Sequence, residues 1–438
     1  MSSDADVIVI GAGLAGLTAA HLLTKAGVDV MVLEAKGRVG GRMLNHTVGG
    51  AVVDAGASWV GPPQREVLGL IKELGLDTFP QHDGRHILMW DGQRKVFTGD
   101  TPPLSWPALA DLGQVIWRLD RAARRLEGPA PWSHPDAQRL DRQTLGGWLQ
   151  RNTISRQARF YLELVALTEF GCRPDELSLL GFLGYVASAG GLRTLVGGRG
   201  AALDSHIVGG AAAICDELAA RLGERVRLDS PVTAIDQTAE RVRILTAAGE
   251  FHARRVVLAV DPATADHIRH EPPLPLQRIA LQRTYALGSG IKAHLCYDQP
   301  FWRDRGLSGQ SYANSGLVRI TFDVGPPAGG PGLLATFLED HVPQHVVLEE
   351  LAARFGDEAS NPVDYVEQNW THEPFQSGCV PRPATGLITS VQDAFTRPIG
   401  NLHFAGADTS QIWKGHMDGA VRSAQRVVAE MPTPAHPR

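Results

Sequence analysis

A short apolar run, Val7-Ile8-Val9-Ile10, leads directly into Gly11-Ala12-Gly13-Leu14-Ala15-Gly16. No other feature restricts the fold of this chain as tightly. Four consecutive apolar residues, all branched at Cβ, suit a strand buried on both faces. Beyond the glycines, Ala15, Ala19, Leu22, Leu23 and Ala26 recur at helical spacing, and Gly27 supplies a stop. A second apolar run, Val28 to Leu33, reads as a strand closed by Glu34. In this strand–helix–strand setting the glycines have mechanical tasks. Gly11 allows the tight turn, Gly13 lets the backbone approach a pyrophosphate, and Gly16 permits close packing of helix on strand. The helix N-terminus offers unpaired N–H groups to phosphate. Glu34, 18 positions after Gly16, can accept hydrogen bonds from ribose hydroxyls. The motif alone does not separate NAD from FAD.

The rest of the chain reads as insertions into such a domain. From Val208 to Val260, Gly209-Gly210 opens a helix with Ile214, Leu218 and Leu222 on its apolar face, ended by Gly223. Segments 225–235, 240–246 and 255–260 follow with strand patterns. Leu402 to Gly406 is strand-like and leads to a helix running through Gly419 to Glu430. Between these pieces, residues 79–207 read as helix-rich, and 283–372 mix strand patterns with Pro/Gly loops. The expected class is α/β. A Rossmann-like nucleotide-binding domain is assembled from 1–78, 208–282 and 373–438, with 79–207 and 283–372 forming a second domain. A length of 438 residues accommodates this.

Composition narrows the function classes. The 42 basic and 47 acidic residues are mixed along the chain, with a net charge of −5, which disfavours a nucleic-acid binder or a polybasic membrane anchor. Arg118, Arg121 and Arg125 share a helix face, which reads as a solvated face. The four cysteines are too widely spaced for a zinc ribbon or a dense disulfide framework, and the histidines form no metal motif. The uncharged stretch from Leu177 to Leu192 is shorter than the ~20 apolar residues that span a bilayer. The N-terminus lacks signal-peptide features, and the C-terminus is a Pro-rich tail, PTPAHPR. A cytoplasmic location without a membrane anchor is expected.

The residues after the second strand are more specific. Glu34-Ala35-Lys36-Gly37-Arg38-Val39-Gly40-Gly41-Arg42 combines a bare backbone turn with guanidinium groups, a second anion-binding element. This run resembles the flavin-containing amine oxidases, the monoamine oxidase family, where it contacts the FAD pyrophosphate. The resemblance covers nearly the whole chain. It includes Ala57 to Gln64, Ala130-Pro131-Trp132, Asp141 to Trp148, Val208-Gly209-Gly210, Ser230-Pro231-Val232, Phe404 to Thr409 and Trp413 to Ala420. It implies FAD held by Gly11, Gly13, Gly16, Glu34, Arg38, Gly41, Arg42, Val232, Gly406, Asp408 and Met417. Asp408 stands where the family usually has Glu.

Lys292 lies in an apolar strand-like run, Gly290 to His294, where an unpaired ammonium is expensive. The family's matching lysine holds a water against flavin N5; the alternative is a lysine snorkelling to solvent. Cys379 matches the cysteine that mammalian monoamine oxidases join to the flavin through a thioether, although many bacterial relatives lack it. A buried inert thiol is the other reading. Val380 and His416 occupy the positions of two tyrosines that sandwich the substrate amine in that family. Trp59, Phe182 and Tyr185 are candidate apolar lining, and Leu203 aligns where a Gln is common. The cofactor half therefore matches, and the substrate half departs.

The resemblance implies an FAD-dependent amine oxidase. It takes a small-molecule amine to an imine, which water can hydrolyse, and reduces O2 to H2O2. Assembly as a homodimer is compatible with it. The departures keep open a flavin-dependent desaturase or dehydrogenase acting on a specialised metabolite, distinguished by loss of two hydrogens without deamination. A flavin-binding protein without turnover is a third class, removed by any amine that reduces the flavin. With both tyrosines gone, the expected substrate is a bulkier amine with its own hydrogen-bonding groups rather than benzylamine. No arginine is identified for a substrate carboxylate.

Overall fold

The computed structural model describes residues 4–431 except Glu127, Pro129, Ala328 and Ser377. The Pro-rich tail lies outside the described residues. Ala5–Ile10 is the centre of a mixed sheet, parallel to Val30–Leu33 on one side and to the far half of Gly249–Leu258 on the other. Val226–Arg227 adds beyond Val30–Leu33. On the other side, Gly249–Leu258 pairs with Val242–Thr246, which pairs with Val232–Asp236, and Arg269–Glu271 closes that edge. Leu402–Phe404 returns from the far end of the chain to lie parallel to Val256, Val257 and Leu258.

Three helices from distant parts of the chain cover one face of this sheet. Leu14–Lys25 packs between Ala212–Leu222 and Met417–Ala429. Their apolar residues, among them Leu17, Ala20, Ile214, Leu218, Val421 and Val427, share a buried cluster with Val7, Val9 and Val32 of the sheet. Asp418 fastens the arrangement. Its buried carboxylate accepts the Glu66 and Val67 N–H groups at 2.7 and 3.0 Å, at the first turn of Arg65–Leu74. One carboxylate thus caps an orphan pair of donors on a neighbouring helix.

A second sheet runs in the order Asp364–Asn369, Ile291–Tyr297, Gly332–Leu338, Ile320–Asp323, Leu307–Ala313, Arg85–Trp90 and Gln93–Phe97. Trp106–Arg124, Arg156–Phe170 and Leu179–Ser188 form a helical layer with its own apolar cluster. Arg118, Arg121 and Arg125 are exposed on it.

Two local expectations need correction. The helix-rich reading of 79–207 hides a hairpin, Arg85–Trp90 with Gln93–Phe97, which extends the second sheet. Its turn is Asp91-Gly92, both at positive φ (49° and 78°), the pair that suits the twist of a two-residue hairpin loop. The strand expected over 225–235 is two strands, because Asp229 sits at φ 51° and Pro231 has no N–H for a ladder.

Gly16 shows how tightly the first helix sits. A Cβ there would lie 2.0 Å from the Gly11 carbonyl oxygen and 3.1 Å from the Ala259 methyl group. Gly69, on the exposed side of Arg65–Leu74, has no heavy atom within 4 Å of such a Cβ. Gly16→Ala is therefore expected to destabilise the protein by about 1–3 kcal/mol. Gly69→Ala is expected to stabilise it by about 0.5–1 kcal/mol. Denaturant titration of the two variants checks both signs.

Candidate active site

A cavity of 1730 Å³ runs from the end of the first sheet to the second sheet and the helical layer. That exceeds the ~300–1,000 Å³ of an ordinary small-molecule pocket and leaves room for a large cofactor together with a substrate. Gly11, Gly13, Glu34, Gly41, Arg42, Val232, Gly406, Asp408 and Met417 line it. The glycine wall is shaped for a ligand. A Cβ on Gly13 would meet only the Gly40 carbonyl oxygen, at 4.0 Å, and one on Gly406 would meet nothing within 4 Å. Leu14–Lys25 begins here with no side-chain cap, so its first N–H groups are free for phosphate. Glu34 is oriented by the Ala12 and Lys36 N–H groups, at 2.6 and 2.9 Å. The Gly40 N–H donates to the Ala12 carbonyl at 2.9 Å, which joins the two glycine-rich elements. These residues fit a dinucleotide.

Two of the residues matched to cofactor binding are not brought to the cavity wall. Gly16 acts through helix packing, as described. Arg38 donates to the Glu373 carboxylate at 2.7 Å and to the Val39 and Gly41 carbonyls, and Lys36 shares the same carboxylate at 2.7 Å. Arg38 thereby braces the Gly40-Gly41 turn from behind.

Arg42 reaches across the cavity floor. Its guanidinium donates to Asp408 at 2.6 Å and to the Cys379 carbonyl at 3.2 Å, and the Tyr285 hydroxyl donates to the other Asp408 oxygen at 2.7 Å. Burial opposes ionisation of Asp408, but Arg42 and the Tyr285 hydroxyl hold its carboxyl below the usual range. The Cys379 thiol lines the cavity and is pushed up by burial, an effect opposed by the Arg42 and Lys292 cations.

Lys292 lies on Ile291–Tyr297, with every residue of that strand buried. Its ammonium stands just behind the cavity wall. It donates to the Gly56 carbonyl at 3.0 Å and to the Ser58 hydroxyl, both wall residues, and lies 5.1 Å from the Trp59 ring and 5.7 Å from the Phe337 ring. Burial lowers it to about 8, against the opposing pull of Asp54 and Cys379. The snorkelling alternative does not hold, since the residue is only 3% exposed.

Trp59, Tyr185, Val380, Cys379, His416 and Leu203 all line the cavity. Phe182 does not. It turns into the helical layer and packs on Phe170, 5.9 Å between rings. His416 immediately precedes Met417–Ala429 without a capping hydrogen bond from its side chain, and its ring lies 5.3 Å from Tyr185 and 5.1 Å from Trp413. Its Nδ1 is 2.9 Å from the Lys414 carbonyl oxygen.

Several groups escaped sequence reasoning. Glu169 lines the cavity beside His416, and burial pushes its carboxyl up to about 8. A lone charge in the otherwise uncharged run Leu164 to Phe170 is the signal that could have found it. Gln81 accepts from the Trp59 indole at 2.9 Å and meets His206 at 2.8 Å, fixing the Trp59 wall. Burial raises Asp54, near Lys292, to about 6. No local pattern marks Gln81 or Asp54, because their partners are distant in sequence. Among the described residues no cluster of His, Cys, Asp or Glu could hold a metal ion.

Removing Arg42 would strand the buried Asp408 carboxylate. Arg42→Met is expected to cost about 3 kcal/mol, with part of the loss recovered in Arg42→Met/Asp408→Asn, where no orphan charge remains. Urea denaturation of the apoproteins measures the difference.

Comparison with known proteins agrees with this geometry. The profile of the family described as flavin containing amine oxidoreductase matches residues 14–432. The AofH protein of Mycobacterium tuberculosis is 39% identical over 437 residues, 97% of this chain and 96% of that one. Flavin-containing amine oxidase B of Sus scrofa is 33% identical over 452 residues, 98% of this chain and 86% of that one. The solved structure of wild-type putrescine oxidase bound to putrescine superposes with a TM-score of 0.93 at 32% identity, covering 97% of this chain and 98% of that one. The chain belongs to the flavin-containing amine oxidase family, with its monoamine oxidase-like fold, and is an FAD-dependent oxidoreductase.

Proposed function

We propose that the protein oxidises an amine bulkier than benzylamine, one that carries hydrogen-bonding groups of its own, with dioxygen as the electron acceptor. The observation that carries this reading is the polar group of Glu169, Tyr185 and His416 that lines, together with Cys379 and Val380, the cavity that also holds the dinucleotide cradle. The first sheet and its helices are assigned to FAD, and the second sheet with the helical layer to the substrate. Bound FAD supplies the redox chemistry, taking the equivalent of a hydride from the amine α carbon and passing electrons to O2 to give H2O2.

The chain's own residues supply position and field. Gly11, Gly13 and the open end of Leu14–Lys25 are assigned to the pyrophosphate, and Glu34 to ribose hydroxyls. Arg42, Gly406, Asp408 and Met417 are assigned to the flavin side. Trp59, Phe322 and Phe337, in mutual contact at 4.9 and 6.2 Å, exclude water from the reacting carbon. Val380 leaves space where a large ring would narrow the pocket, and His416 offers a polar edge. Lys292 has three N–H donors; two serve Gly56 and Ser58, and the third is assigned to a water.

Anaerobic mixing with tryptamine, serotonin and benzylamine tests the activity. Bleaching of the flavin, then recovery in air with one peroxide formed per amine consumed, supports it; benzylamine is expected to be the slowest. In Lys292→Met the aerobic recovery is expected to slow by about 10²-fold, since a cation near developing negative charge is lost. The sign with pH follows from Lys292 standing at about 8: the cation is present below that pH and lost above it. Recovery in the wild type should therefore slow as pH rises through about 8, and the Met variant should show no such fall.

Cys379 is assigned as a thioether anchor for FAD. Attack requires the thiolate, which burial disfavours and which Arg42 and Lys292 favour. Acid precipitation is expected to leave the yellow colour in the protein pellet, and Cys379→Ala to release it to the supernatant. Colour released from the wild type would reduce Cys379 to a wall residue.

A further inference from the structure

An amine reaches a protein at neutral pH mostly as an ammonium ion, yet its α carbon can be oxidised only once the nitrogen lone pair is free. A proton must leave the substrate nitrogen, and a water-excluding pocket needs somewhere to put it. The described cavity holds a buried carboxyl beside an imidazole. Glu169 ends the helix Arg156–Phe170, and its Oε2 lies 3.9 Å from Nε2 of His416. Both side chains line the cavity, at 14% and 17% exposure. The tautomer of His416 follows from its other nitrogen. A carbonyl can only accept, so the 2.9 Å contact with Lys414 places the proton on Nδ1 and leaves a lone pair on Nε2. The ring is held there by Tyr185 and Trp413.

We propose that Glu169 and His416 form one proton-accepting pair for the incoming substrate ammonium. The substrate N–H bond breaks and its electron pair stays on nitrogen as the lone pair. The proton bonds to the Glu169 carboxylate, and His416, with its lone pair on Nε2, stays neutral beside the carboxyl so formed. No electrons leave the substrate in this step. The assignment deepens the amine-oxidase reading and rests on it for the identity of the cation.

The surroundings fix when the pair is free. Burial pushes Glu169 up to about 8, partly offset by the Tyr185 hydroxyl, and burial lowers His416, with Asp418 pulling the other way. Arg42, Asp408 and Cys379 face the same Tyr185 from across the pocket. Groups this close titrate together. The pair therefore carries one proton at neutral pH and is open to accept another group's proton only on the alkaline side.

The test counts protons. Tryptamine or serotonin is titrated by calorimetry into the chemically reduced holoenzyme, which cannot turn over, in buffers of unlike ionisation enthalpy at about pH 9. The wild type is expected to return almost no proton to the buffer, because the pair keeps it. Glu169→Gln and Glu169→Leu, which leave no carboxylate to take the proton, are each expected to return about one. Infrared difference spectra of the wild-type complex are expected to show the C=O stretch of a protonated carboxyl, absent from Glu169→Gln. Equal proton counts in wild type and variants overturn the pair while the amine-oxidase reading stands. If neither amine bleaches the oxidised flavin of the wild type, that reading fails and the pair falls with it.

Discussion

The ion pair between Arg42 and Asp408 is the contact on which the cavity depends. Its two residues are 366 positions apart, and a carboxylate only 2% exposed needs a partner to stay charged. Tyr285 donates to the carboxylate and the Cys379 carbonyl accepts from the guanidinium, so four separate segments converge on one ion pair. The Gly40-Gly41 turn, the Cys379-Val380 turn and the start of the last helix take their places around it. Lys414, lowered to about 8 by burial, adds a further cation on the Asp408 side, its ammonium 4.1 Å from the Phe395 ring centroid.

The two halves of the cavity are built on different physics. On the nucleotide side the recognising atoms are backbone N–H groups, and glycines keep side chains out of the way. That surface tolerates little variation, since any Cβ at Gly11 or Gly16 meets backbone. On the other side the wall is made of side chains from the helical layer and the second sheet, and a single replacement changes its chemistry. His416 and Glu169 show this: an imidazole and a carboxyl stand 3.9 Å apart in a wall otherwise rich in leucine and aromatic residues. The same scaffold can then accept different molecules without rebuilding its cofactor site.

This difference explains what was legible in the sequence. The first strand, the glycine turn, the helix and Glu34 are contiguous, and their chemistry follows from spacing alone. Lys292 was visible because a charge inside an apolar strand demands a reason. Glu169 carried the same kind of signal but sits in a helix, where a lone polar residue is ordinarily a solvated one. Phe182 and Tyr185 are three apart on one helix, yet only Tyr185 meets the cavity, because the face between them is divided between core and wall. Gln81 and Asp54 act through partners outside their own elements, Trp59 and His206 for the first and Ala211 for the second, a relation that no local pattern records. The hairpin at Asp91-Gly92 had a clear turn signal and was obscured by the helical texture around it.

The path of the chain has a consequence for the order of its assembly. The strand Ala5–Ile10 and its glycine turn are made well before the partners that bury them, Leu402–Phe404 and Met417–Ala429. While the polypeptide is still emerging from the ribosome, the nucleotide cleft lacks the wall from Gly406 to Met417. Its apolar helix Leu14–Lys25 also has no cover on that side. Long-range closure of this kind is slow and leaves sticky surface in the interim. Capture of the cofactor in a closed cleft therefore waits until the segment from Leu402 to Ala429 has been made and docked.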